Sequence, residues 1–149
     1  MRSVSRCVSI ADVTLDTGLI ALRIPPQAPR WLGFDLAEVL AAVGAHTNLR
    51  WVVRDAWFNG DVTAVWPEGL GVEERTRTDE GVALSWSEMA TLARTCHQVI
   101  DGEFSGYRGA ELRLRLTAFD SSYWVVLAED PAILSRVRGA FTGVCADIP

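Results

Sequence analysis

Residues able to do chemistry are few in this chain, and they are scattered. Cys96 and His97 are an adjacent thiol and imidazole, the types a nucleophile and its base require. Neighbours on a helix point about 100° apart, so these two do not form a pair with one another. Cys96 falls on the apolar face of the helix expected around it and His97 on its flank. Ser121 and Ser122 follow Asp120, but no histidine is fixed beside them, and turn chemistry accounts for all three. Asp55, Asp101, Glu103 and Asp120 are carboxylates of the kind that glycoside hydrolysis uses in facing pairs, and nothing in the sequence brings two together. Arg108, Asp120 and Tyr123 remain as a polar group at one end of the expected sheet.

Other catalytic classes lack their residues. Two histidines and three dispersed cysteines show no metal-ligand spacing, with His46 set in the turn-like Gly44-Ala45-His46-Thr47-Asn48, so no metal is expected. There is no GxGxxG, GxxxxGK[ST] or GxSxG pattern, hence no expected cofactor. All 14 basic residues are arginine, which removes Schiff-base chemistry and points to a high-GC bacterial source. Without a catalytic set, the expectation leans away from an enzyme and towards binding.

Composition bounds the rest. A chain of 149 residues, 49% hydrophobic and 22% charged, is expected to form one globular domain over residues 1–149. Net charge is −5 and pI about 5.0, which disfavours nucleic acid and suits a basic protein partner. Cys7, Cys96 and Cys145 are odd in number and outside any CxxC, predicting no disulfide framework and a reducing cytoplasm. No run approaches ~18 apolar residues, so no membrane span is expected.

The elements that must position these residues are read from periodicity. Glu111 to Ala118 alternates polar and apolar, Asp120-Ser121-Ser122 breaks the pattern, and Tyr123 to Ala128 is apolar almost throughout. That predicts a hairpin whose second strand is covered on both faces. Asp130-Pro131 then opens a helix carrying Ile133, Leu134, Val137 and Phe141. Val4 to Leu15 and Leu19 to Ile24 flank a turn at Asp16-Thr17-Gly18. Asp35 to Val43 reads as a helix, with Trp31 and Phe34 stapling its entry. Asn59-Gly60 predicts a tight hairpin between Leu49–Phe58 and Asp61–Trp66, placing Trp51, Trp57 and Trp66 on one face. Ser85-Trp86-Ser87-Glu88 is a capping box for a helix running to Ile100. Residues 67–81 and 101–109 read as loops.

The sum is an α+β fold, a mostly antiparallel sheet from three hairpins with helices on one face, in the order ββ-α-ββ-α-ββ-α. The expected function is protein binding, as an inhibitor or immunity-type partner. Trp57, Trp66, Glu73, Glu74, Tyr107 and Asp120 are the candidate contacts. The alternative is a small-molecule binder or unfamiliar enzyme, with an aromatic pocket gated by residues 102–109. Oligomeric state is not legible.

Overall fold

The computed structural model describes residues 18–27 and 34–147. Along the chain run β1 (Ile20–Ile24), α1 (Leu36–Val43), β2 (Arg50–Gly60), a 3-10 turn (Gly69–Gly71), α2 (Val72–Thr76), β3 (Val82–Leu84) and α3 (Trp86–Thr95). Then come β4 (Cys96–Arg108), β5 (Glu111–Phe119), β6 (Tyr123–Ala128), α4 (Pro131–Ala140) and β7 (Cys145–Ala146). The strands form one sheet in the order β3-β2-β4-β5-β6-β1-β7, with every pairing antiparallel. The fold is α+β, with the helices gathered on one side of the sheet.

Local chemistry explains the elements that the sequence announces. Asp120 and Ser121 both adopt positive φ, at 48° and 58°, the left-handed geometry that lets a two-residue turn follow the twist of its strands. It joins β5 to β6, and β6 lies inside the sheet between β5 and β1. The Asp130 carboxylate caps α4 by accepting from Ala132 N at 2.9 Å. The capping box of α3 is formed in both directions: Glu88 N donates to Ser85 Oγ at 3.0 Å and Ser85 N to Glu88 Oε1 at 2.9 Å.

Five expectations are corrected. The helix over Trp86 to Ile100 ends at Thr95, and Cys96 begins the 13-residue β4. Thr91 and Thr95 bond back to carbonyls four residues earlier, a pattern that weakens helix, while β2 offers a ladder to the segment from Cys96 onward and β5 a second one from Gly102. The Asn59-Gly60 hairpin is absent: both residues end β2, whose partners are β3 and β4. Gly60 is required instead for close approach, since a Cβ there would lie 2.6 Å from His97 N.

Of the glycine-rich 101–109 segment, residues 101–108 are strand rather than connector, and only Gly109 lies in a turn. A Cβ at Gly106 would lie 2.9 Å from Leu49 Cδ1 and 3.0 Å from the Trp51 ring, so glycine there admits an aromatic rather than a bend. Residues 67–81 contain the 3-10 turn and α2, with Val72 and Thr76 fully buried. Cys145 is disulfide-bonded, against the expectation of no disulfide, which removes the cysteine count as an argument for a reducing compartment. The expected strand Val4–Leu15 with its turn at residues 16–17, Trp31 and Cys7 lie outside the described residues.

One face of the sheet makes the core. Leu22, Ile24, Trp51, Val53, Phe104, Leu114, Leu116, Trp124 and Val126 meet Leu36, Val39, Val43, Met89, Leu92, Ile133 and Val137 from the helices. Arg136 ties α4 to α1 by donating to Val43 O at 2.7 Å. Among the described residues no helix is long and apolar enough to cross a membrane.

Candidate functional site

Which side chains reach the opposite face, free of helices among the described residues, is decided by one residue. Asp55 holds φ at +50° and the ladder between β2 and β4 slips between Arg54 and Trp57. Such a bulge inserts a residue and reverses the alternation beyond it. Before it, Trp51 and Val53 face the core; after it, Ala56 and Phe58 do. Trp57 is therefore turned outward, 55% exposed, while Trp51 is 1% exposed. α2 braces the slipped backbone: Ala56 N donates to Thr76 Oγ1 at 3.0 Å and Phe58 N to Glu73 Oε2 at 2.9 Å.

The candidate residues thus part company. Trp57, Tyr107 and Asp120 lie on or beside the helix-free face. Trp66 is 5% exposed and packs on Phe58 with ring centroids 5.7 Å apart. Glu73 is a backbone acceptor and Glu74 an exposed residue of α2. Sequence analysis missed Phe119, 38% exposed and stacked on Tyr123 at 4.8 Å, with the Arg23 guanidinium 3.9 Å over the Tyr123 ring. Strict alternation along β5 was the signal that could have found it, since Ala118 points inward.

Two zones follow on this face. At one end, Trp57 stands opposite Asp101 on β4, and Asp101 Oδ1 accepts from Asp120 N at 2.8 Å. Phe119 and Tyr123 continue the row onto β5 and β6, with Asp101 between Trp57 and Phe119 and with Asp55 and Asp120 flanking it in sequence. Six residues along β4, about 20 Å away, Tyr107 sits among arginines. Arg54 Nη1 donates to its hydroxyl at 3.1 Å, and the Arg50 guanidinium lies 4.9 Å from its ring centroid. Arg115 Nε donates to Ser105 Oγ at 3.0 Å, and Ser105 Oγ donates to Glu103 Oε1 at 3.1 Å. Partial burial pushes the Tyr107 phenol upward, but hydrogen bonding and charge from Arg54, with donors from Arg115 and Ser105, pull it below its ordinary range.

Elsewhere the chemistry is closed. Cys96 is a free, buried thiol; it donates to Gln98 O and Asn59 O, and burial raises its pKa, which keeps it protonated and unreactive. His97 is exposed on the next residue. Among the described residues no group of histidine, cysteine and carboxylates is arranged to hold a metal. A groove of about 430 Å³ runs past His46, Asn48, Arg108, Arg113, Glu129 and Asp130 over Leu49, Leu114 and Ile133. Most of its polar groups are already engaged. Arg113 pairs with Glu129 at 3.3 Å, Asp130 caps α4, and a His46 ring nitrogen bonds Val43 O at 2.9 Å. No tryptophan lines it, and residues 102–108 are sheet rather than gate. Asp120 and Tyr123 line neither this groove nor any constellation with Arg108.

No family model, no curated protein and no solved structure matches this chain.

Proposed function

We propose that this protein acts by binding another protein through the helix-free face of its sheet, as an inhibitor or immunity-type partner. The observation that carries it is the outward pair Trp57 and Phe119, 55% and 38% exposed on one face. Exposed apolar surface gathered on one face marks an interaction site more than the same residues scattered singly, and large aromatic rings are the usual anchors of protein interfaces. The acids beside them, Asp55, Asp101 and Asp120, suit lysine or arginine from the partner, as the net charge of −5 does. Seven strands at ~4.8 Å spacing span roughly 30 Å, the scale of a standard interface patch of ~800 Å² per partner.

The test is affinity capture from the native host with the intact chain and with a Trp57→Ala, Phe119→Ala double variant, followed by amide-exchange mapping of the captured complex. The double variant should retain at most about a tenth of the partner, a cost of ~1.4 kcal/mol, and protection should fall on β2, β4 and β5. Undiminished capture, protection confined to the helices, or no partner at all would refute it.

Groove size favours a second reading, a small-molecule site between the 44–49 loop and α4, since about 430 Å³ lies within the range of ligand pockets. It predicts a compound that raises the melting temperature and protects residues 46–49 and 129–133 instead.

A further inference from the structure

The cluster around Tyr107 has more positive charge than its own fold uses. Arg50 and Arg54 lie four residues apart on β2, so their Cα atoms are about 13 Å apart along an extended strand. Both guanidiniums nonetheless converge on one ring, 4.9 and 5.9 Å from its centroid, and Arg115 approaches from β5. Among the described residues one carboxylate lies within 4 Å of these three cations: Glu103, 3.3 Å from Arg115 and 4.0 Å from Arg54. Among the described residues Arg50 forms no ion pair within 4 Å. Like charges drawn to one spot repel, and that repulsion eases when an anion enters between them.

The cluster is also held in place before any ligand arrives. Arg54 is fixed at two atoms, Nε donating to Asp79 O at 2.9 Å and Nη1 to Tyr107 Oη at 3.1 Å. Arg115 is fixed through Ser105, which is fully buried and donates a hydrogen bond to Glu103. A guanidinium locked by neighbouring bonds loses little freedom on taking an anion, and its planar fork matches carboxylate and phosphate oxygens.

We propose that Arg50, Arg54 and Arg115 form an oxyanion-binding site over the Tyr107 ring, taking a compact carboxylate or phosphate group. Glu103 is the resident counter-charge that keeps Arg54 and Arg115 together when the site is empty. The site stands apart from the aromatic row, and it does not require that the row dock a protein.

The experiment follows the arginine Nε–Hε NMR signals of the full chain, titrated separately with inorganic phosphate and with acetate at constant ionic strength, with chloride as the control. Saturable shifts of the Arg54 and Arg115 signals, half-complete near ~1 mM, are expected with one or both oxyanions and not with chloride. Stronger binding of phosphate assigns a phosphorylated ligand; equal or stronger binding of acetate assigns a carboxylate. Arg115→Gln should weaken binding at least about tenfold, and Arg115→Lys should not restore it, because an ammonium lacks the fork. Arg50→Gln alters an exposed side chain without touching a buried group, so it should weaken binding in a chain whose spectrum is otherwise unchanged. Responses matching chloride, or saturation indifferent to both Arg50→Gln and Arg115→Gln, would overturn the assignment.

Discussion

The two faces of this sheet are made from the same strands, residue by residue in alternation, yet they are held by different forces. On the helix side Trp51, Phe104, Leu114 and Leu116 are buried against α1, α3 and α4, where the free energy comes from apolar area taken out of water and scales with fit. On the far side the same strands carry Arg54, Glu103, Arg115 and Tyr107, paired at 3 to 4 Å but partly solvated, where each pair contributes little to stability. The arginines, tyrosines and tryptophan of this face therefore add less to stability than the residues packed under the helices. Asp55 marks the boundary, since its bulge moves Trp57 from one regime to the other.

The sharpest way to break that contrast is to empty the helix side. Phe104→Ala removes a fully buried ring stacked near Trp124 and should cost about 3–5 kcal/mol by urea unfolding. A cost under ~1 kcal/mol would mean that this face is not the core.

Next is a pH effect seated at the edge of the core. Burial raises Asp35 to about 6, although its carboxylate accepts from Val99 N at 2.9 Å. The folded state therefore binds the proton more tightly than the unfolded chain, whose carboxylate titrates near its ordinary ~3.9. Stability from this group is fully present below that value and is lost as pH rises through about 6. The loss is on the order of 2–3 kcal/mol between pH 4 and 7, read as a falling urea midpoint. Asp35→Asn should flatten that slope, and an unchanged slope would remove Asp35 as its source.

Third, Gly106→Ala adds a single methyl towards Leu49 and Trp51 from within β4, and overpacking should cost about 1–3 kcal/mol. The smallest effect belongs to the open face: Trp57→Ala should change stability by less than ~0.5 kcal/mol, even though it deletes the largest side-chain type. A larger loss would show that Trp57 serves the fold, and the division between the faces would fail.

Much of the fold was legible because its signals are local. The Asp120-Ser121 turn, the Asp130-Pro131 helix start, the Ser85 to Glu88 capping box and the alternation from Glu111 to Ala118 each depend on residues within a few positions, and each stands in the structure. Of the site, Trp57, Tyr107 and Asp120 were named, while Phe119, Arg54 and Arg115 were not. Trp57 was named for the wrong geometry, grouped with Trp51 and Trp66, which are buried.

By itself, then, the sequence determined what short-range sterics and side-chain-to-backbone bonds can determine: turns, caps, the hairpin of β5 and β6, and the α+β class. Only the tertiary structure decided where pairing across dozens of residues overrode those preferences. It drew residues 96–108 from helix and loop into a central strand, because β2 supplied backbone partners along most of the segment and β5 along its second half. It also set Asp55 at positive φ, braced by Thr76 and Glu73 from about 20 residues away, and so chose which tryptophan meets water. A one-residue slip reverses every side chain beyond it, and nothing in the neighbouring residues encodes that slip.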